Sequence, residues 1–306
     1  MVRPKPIVGV GRIAFDIVGV VPRFPDPDTR VELSELSIQG SGSVATALAT
    51  IAALGGPAAC IGYVGPDRFG QLALDLLAGD GVDVSRVRVG KGQLSPFTFV
   101  TVGADTGSRA TFTTQGDVEP PAVDSFGPDL AVIDEASLLL LDGDEPALES
   151  RAAAHARAAK VPVLLDLGRY SDSAHDMIGQ ADILICSERF ALEAAPRGEL
   201  EDALKTLASQ GPRSVVITLG AAGSIALDGG RILKQPALGP PAASATGVGS
   251  VFHGALGYGL ARGFSFERVL ELASAVAGLS ASNRSARAGL PSAAAAAQLV
   301  PWLTSA

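Results

Sequence analysis

The sequence is poor in several residue types. It has two cysteines, three histidines and one tryptophan, and only 18% of its 306 positions are charged. Cys60 and Cys186 each sit in an apolar run without a C-x-x-C neighbour, so both read as small buried hydrophobes rather than a disulfide or redox pair. His155, His175 and His253 lack metal-ligand spacing, which argues against zinc. Lys and Arg number 24 against 32 Asp and Glu, giving a net charge of −8, and no long basic run occurs. Nucleic acid is therefore not an expected partner, because phosphate backbones are held by clustered cations. No window reaches the roughly 18 apolar residues of a membrane span. The apolar run at 7–10 is too short for a secretion signal, and Arg12 and Asp16 break the stretch after it. The expected compartment is the cytoplasm.

Apolar residues, at 47%, are plentiful enough for a large core. From residue 130 onward short apolar runs alternate with helical patterns. The strands are predicted at "LAVID", "VPVLLDL", "ADILICS" and "SVVITLG", with helices around 146–159 and 200–209 between them. That alternation implies a parallel sheet covered on both faces. "SIALDGGRILK" reads as a hairpin turning at Asp228-Gly229-Gly230, followed by helices at 249–262 and 266–281 and a last one in "SAAAAAQLVPWL". Earlier, "PIVGVG" and "AACIGYVG" read as strands, Val44 to Leu54 as a helix capped by Ser43, and Phe69 to Leu77 as another. "RVELSELSIQ" has near-strand spacing from Val31 to Ile38, and "PFTFVTV" and "RATFTT" alternate around the turn "GADTGS". The reading is a single domain over 1–306: α/β, doubly wound, with a mainly parallel sheet, helices on both faces and a small antiparallel β lid. Two segments form the lid, about 12–38 and 91–117.

"GVGRIA" fits the dinucleotide fingerprint G-x-G-x-x-A, but "FDIVGVVPRFPDP" behind it is β-branched and proline-closed, so no helix should open there. A strand entering another strand fits better, and a dehydrogenase is the weaker alternative. "QGSGSVATAL" places Gly40 and Gly42 just before a helix, and "VVITLGAAGS" ends a strand with Thr218, Gly220 and Gly223. Ligands of open parallel sheets bind at such strand ends. The most informative stretch is "ATGVGSVFHG". Its backbone N–H groups at Val248, Gly249 and Ser250 would point from a helix N-terminus and hold an anion with no charged side chain. A glycine-rich ordinary loop is the bland counterpart.

Taken in order, these segments resemble the ribokinase (PfkB) family of carbohydrate kinases along nearly the whole chain. "VGVGRIAFD" is similar to the first strand, whose closing Asp contacts sugar hydroxyls, here Asp16; "FPDPDTRV" resembles the loop with a second such carboxylate, here Asp28. "GSGSVATALATIAALGGPAACIGYVGPDRFG" resembles the first signature, with Gly40, Gly42 and Thr46 at substrate positions, and "ITLGAAGS" the nucleotide-binding strand end. "TGVGSVFHGALGYGLARG" resembles the second signature, and "ARAGLP" the segment after the adenine-site helices. The resemblance implies ATP and Mg²⁺ as ligands, phosphorylation of a sugar-like hydroxyl, and in many relatives a homodimer through the lid. It places Thr218, Gly220, Gly223, Thr246, Gly247 and Gly249 at the nucleotide, with Gly247, Val248 and Gly249 as the anion hole.

The family pattern D-T-T-G-A-G-D reads Ser244-Ala245-Thr246-Gly247-Val248-Gly249-Ser250 here. The cradle glycines remain, while Ser250 occupies the position of the catalytic base. A serine hydroxyl accepts protons poorly at neutral pH, and a general base is worth ~10²–10⁴ in rate. The metal motif N-x-x-E becomes Ser187-Glu188-Arg189-Phe190, leaving Glu188 as the residue able to bind metal through water. The expectation is a protein that binds ATP and a sugar-like ligand and is a slow or inactive kinase. An active kinase using another base and a non-catalytic sensor or partner-binding module remain open.

Overall fold

A computed structural model describes residues 4–195, 198–242, 246–283 and 287–305. The first half runs β1 (Ile7–Val10), β2 (Ala14–Val21), β3 (Glu35–Ser41), α1 (Ser43–Ala53), β4 (Ala58–Val64), α2 (Arg68–Gly79), β5 (Asp83–Val89), β6 (Phe97–Gly103) and β7 (Arg109–Thr114). Next come α3 (Gly127–Leu130), β8 (Leu138–Leu141), α4 (Pro146–Ala159), β9 (Val163–Leu167), α5 (Asp172–Asp176), β10 (Ile183–Ser187), α6 (Glu188–Ala194) and α7 (Leu200–Ala208). The remainder is β11 (Ser214–Thr218), β12 (Ser224–Asp228), β13 (Arg231–Gln235), α8 (Val248–Ala261), α9 (Phe266–Ala281) and α10 (Ala293–Ala297).

Nine strands form the main sheet in the order β13-β12-β11-β10-β9-β8-β1-β4-β5. The pairings from β5 to β11 are parallel, and the β12–β13 hairpin closes one edge antiparallel. Alternate side chains of one strand feed opposite cores. Leu138 and Leu140 of β8 join α1, α8 and α9, whereas Leu139 and Leu141 join α4, α6 and α7. Burial on both faces is why this strand reads as an uninterrupted apolar run. The chain reverses direction across the sheet at β1, which lies between β4 and β8. A crevice at the strands' carboxyl ends is expected there.

A second, four-stranded sheet has the order β3-β2-β6-β7. Two antiparallel pairs, β2–β3 and β6–β7, are joined by a parallel pairing of β2 with β6. Phe15, Phe69 and Phe97 anchor it to α2, with ring centroids 5.2–5.6 Å apart.

Three local expectations change, and one strand appears that the pattern had not indicated. "LAVID" is not a strand: residues 131–135 form a 3₁₀ turn, and the strand is the later "LLLL". A short apolar run fits a buried turn as well as a strand. The polar "DVSRVRV" forms the edge strand β5, whose exposed positions hide the alternation. Val31 and Leu33 lie outside β3, because Leu33 folds over Gly19 instead of continuing the ladder. Ser43 does not cap α1. Gly42 does, at φ 101°, and a Cβ there would run into the Arg12 carbonyl oxygen.

Helices α1 and α8 pack closely because Gly254 lies against the Ala47 backbone. Any Cβ at Gly254 would strike the Ala47 carbonyl oxygen. Gly254→Ala should therefore push the two helices apart and lower stability by ~1–3 kcal/mol, as read from urea unfolding midpoints. A midpoint equal to that of the parent would show that the helices can part without penalty.

Candidate active site

The N-terminus of α8 opens on the crevice. Gly247 caps it in the left-handed region at φ 76°, and no acidic residue stands in its first turn. Val248, Gly249 and Ser250 are its first three residues, whose N–H groups have no partner within the helix. Nothing lies within 4 Å of where a Gly249 side chain would begin, so there is space in front of these donors. Thr246, just before the cap, accepts a 2.7 Å hydrogen bond from Arg109 Nη1 on β7. That contact ties the lid sheet to the loop and brings a cation to its mouth. Ser244 lies outside the described residues.

Beside this helix end is a cavity of about 580 Å³, lined by Thr218, Gly220, Gly223, Gly249, Phe252 and Gly278 among others. Its walls are small and mostly apolar, and its size falls within the usual range of small-molecule sites. The Thr218 hydroxyl donates to the Cys186 carbonyl at 3.3 Å, so β10 and β11 hold it in place. The nucleotide-side residues expected from the sequence thus gather around one cavity and one helix end.

Under the lid, Asp16 on β2 interacts with Ser41 and Gln39 and feels the charge of Arg287; burial outweighs these contacts and raises its pKa. Arg287 is 8% exposed. It donates to Asp80 Oδ2 at 2.8 and 3.0 Å and to Thr46 Oγ1 at 3.4 Å, and its guanidinium lies flush against Gly40. Asp16, Gly40, Gly42 and Thr46 therefore converge. Asp28 does not join them. It is exposed in the loop joining β2 to β3, at φ 63°. Glu188 is exposed in the first turn of α6, and Phe190 is fully buried in the core. Among the described residues no three His, Cys, Asp or Glu side chains gather as a metal site. Glu188 alone does not make a protein-held magnesium site.

Sequence reasoning missed the carboxylates at the ends of β8 and β9. Asp142 Oδ2 accepts the Val44 N–H at 2.9 Å, and Glu149 accepts the N–H groups of Asp142, Gly143 and Glu145. Burial raises both acids, helped at Asp142 by the charge of Asp144 and at Glu149 by the charge of Asp142. Asp166 is pushed up to about 8, first by burial and then by the charge of Asp142. His253 is fully buried one turn beyond Ser250, with Nδ1 3.7 Å from Asp166 Oδ2. Neither ring nitrogen has a hydrogen bond of good geometry. Burial lowers the imidazole pKa to about 3, opposed only by a weak contact with the Leu164 carbonyl. Ser43 and Ser250 face each other with oxygens 2.9 Å apart. "LLLLDGD" and "VLLDL" did carry a signal, an acid at the carboxyl end of a parallel strand.

A mainly parallel sheet, a cavity beside a helix N-terminus that carries no acidic residue, and a second sheet bearing a partly buried carboxylate make up the framework of the site. The profile of the pfkB family carbohydrate kinases matches residues 5–293, and the chain belongs to that family. It is 26% identical to a ribokinase of Lactococcus lactis over 285 residues, 92% of each chain. It is 29% identical to an ATP-dependent ribose-1-phosphate kinase of Halopiger xanaduensis, across 92% of this chain and 93% of that one. The ribokinase of Arabidopsis thaliana, solved with ribose and ATP, superposes with a TM-score of 0.84 over 97% of this chain and 98% of that one at 22% identity. No helix among the described residues is long and apolar enough to cross a membrane.

The buried groups set a pH dependence of stability. Folded Asp166, with a pKa near 8 against an ordinary 3.8, keeps a proton that the unfolded chain releases. Its contribution therefore falls as pH rises through that interval, and Asp142 and Glu149 act in the same direction. His253 does the opposite only below its ordinary value of 6.5, where the unfolded chain takes up a proton that the folded one refuses. Between pH 6.5 and 8 the carboxyls alone remain. The melting temperature should fall across that window, and less steeply in Asp166→Asn, by calorimetry in matched buffers. Identical slopes in the two proteins would mean that Asp166 is already ionised in the fold.

Proposed function

We propose that this protein binds ATP in the cavity beside α8 and a sugar-like alcohol between Asp16 and Ser250, and that it transfers the γ-phosphoryl group slowly. Family membership supports the reaction class. The observation that carries the finer reading is Ser250: it occupies the third position of α8, where the family pattern has a base, and its hydroxyl meets another hydroxyl. Phosphoryl transfer depends mainly on position and charge stabilisation. The N–H groups of Val248 and Gly249 and the helix dipole supply the charge stabilisation, while Asp16, Gly40, Gly42 and Thr46 position the acceptor. Asp28 serves this site only if its loop folds inward over the acceptor. Where magnesium is needed, Glu188 would be the residue able to reach it through water, and the ion would neutralise phosphate charge.

The lid also supports pairing of two copies. Ile38, Ile17, Phe99 and Phe112 are consecutive cross-strand partners in one row. Ile38 and Phe112 keep 48% and 61% of their surface exposed, and Leu36, two residues before Ile38, keeps 59%. A contiguous exposed apolar face of this kind marks an association surface. Ile38→Asp should convert a dimer to a monomer in sedimentation velocity, and a parent that is already monomeric at all concentrations would remove this part of the reading.

Ligand binding and turnover are separable. ATP at ~100 times its Kd should stabilise the fold by about 2.7 kcal/mol, visible as a raised melting temperature. Ser250→Asp should raise ATP consumption with ribose, ribose 1-phosphate or inosine as acceptor, by up to the ~10²–10⁴ of a general base. Helix α8 should tolerate the substitution, since a negative charge is favoured in a first turn. Flat melting curves with ATP and with ADP would favour a partner-binding module instead. Fast turnover in the parent, unchanged in Ser250→Ala, would favour an active kinase that does not use position 250.

A further inference from the structure

Arg287 is a charge buried where an apolar side chain would fill the space. It opens the short 3₁₀ turn at 287–289, beyond α9, and is 8% exposed. Its Nε and Nη2 donate to the same oxygen of Asp80, Oδ2, at 3.0 and 2.8 Å, and its Nη1 donates to Thr46 Oγ1 at 3.4 Å. Burying a guanidinium is costly unless its donors are paired, and a well-packed apolar residue of similar volume is often at least as stable. What an apolar residue lacks is fixed bonding directions. Each contact of Arg287 belongs to a different element. Asp80 is the C-cap of α2, an end of a helix where a carboxylate is disfavoured unless a cation faces it. Thr46 is the fourth residue of α1. The third contact is with backbone. A Cβ at Gly40 would lie 2.5 Å from both Cζ and Nη2 of Arg287, so the guanidinium fills the space a side chain there would need.

Gly40 is the second residue from the end of β3 and pairs with Phe15, whose ring packs on Phe69 of α2. One planar group thus ties the inner end of the lid sheet to α1 and α2, beside the Gly42 cap where the chain leaves the lid. We infer that Arg287 is a positioning residue for the acceptor alcohol, acting through the end of β3 and the hydroxyl of Thr46. The inference rests on the kinase reading, which puts the acceptor at Asp16, Gly40, Gly42 and Thr46. Arg287 touches no reacting atom in this role. It sets where the acceptor residues stand, and so how tightly the acceptor is held.

Donor counting gives Thr46 a defined part. A guanidinium carries no acceptor, so Thr46 Oγ1 accepts from Arg287 and keeps its own hydrogen to donate. Thr46 therefore meets the ligand as a donor, and the group that fits it is an oxygen with a free lone pair. The same arrangement separates the two ligands. The cavity beside α8 is lined by Thr218, Gly223, Gly249 and Gly278 among others, and by none of Gly40, Thr46, Asp80 or Arg287. Loss of Arg287 should weaken the acceptor and leave ATP binding as it is.

The test measures acceptor KM, ATP KM and kcat separately with ribose, ribose 1-phosphate and inosine, in the parent and in the Ser250→Asp background. Melting curves with and without ATP accompany each variant. Arg287→Met keeps the length and the packing of the side chain. It should raise the acceptor KM about tenfold or more, with the ATP-induced rise in melting temperature equal to that of the parent. Arg287→Lys should not recover the acceptor KM, because an ammonium on a flexible stem cannot serve Asp80, Thr46 and the Gly40 backbone at once. Gly40→Ala should weaken the acceptor as Arg287→Met does, since the new Cβ displaces the guanidinium. Joined to Arg287→Ala it should cost nothing further, the non-additivity expected of two groups in contact. An unchanged acceptor KM in Arg287→Met, or a lysine as good as the arginine, would overturn the inference. So would additive losses in the double variant. ATP affinity falling in step with acceptor affinity would do the same, since Arg287 would then only be holding the fold. If neither the parent nor Ser250→Asp binds or phosphorylates any of the three acceptors, the kinase reading falls and the inference with it. Turnover in either, with an acceptor KM that ignores Arg287→Met, removes the inference alone.

Discussion

The contact between α1 and α8 governs the rest of this site. Gly254 brings the second helix onto the backbone of the first at Ala47. The first helix starts immediately after the strand that leads down from the lid, and the second starts at the anion loop. Two features separated by about two hundred residues are thus fixed against one another at their N-termini. The 2.9 Å approach of Ser43 to Ser250 results from that packing. Glycine is required because backbone-to-backbone approach leaves no room for a side chain, and close packing transmits such a constraint rather than absorbing it.

The electrostatics of the crevice are divided between two kinds of group. The helix end presents backbone N–H groups and a dipole, which need no charged side chain and do not titrate. The neighbouring strand ends carry acids that burial pushes toward the neutral form, Asp142, Glu149 and Asp166 all lying above the ordinary carboxylate range. Arg287 and Asp80 form a separate pair against Gly40 and Thr46.

Much of the architecture was legible because both cores draw on long, strongly patterned segments. The runs ending at Leu167, Ser187 and Thr218 are β-rich, short and bounded by helical stretches, so pattern alone set strand type and order. The errors have physical causes. Around residues 131–141 two apolar runs lie in succession, and only packing decides which pairs with β1. The edge strand β5 is half exposed, so its polar residues mask it. At the site, the glycine loop was singled out by its pattern and Asp16 by the family resemblance, whereas Asp142, Asp166 and Arg287 were not singled out, because their surroundings are set by neighbours far away in the chain.

The sequence by itself determined the fold class, the family and the absence of a carboxylate at position 250, since each is written in local pattern or in the identity of one residue. Tertiary structure alone decided what surrounds that position. It left Asp28 and Glu188 exposed, buried Phe190 in the core, and carried Ser43 to 2.9 Å from Ser250 and Asp166 to 3.7 Å from His253. The reason is that hydrogen bonding and desolvation act through space over a few ångströms. The groups they couple here are 43, 166, 250 and 253, and no local reading of the chain places those residues together.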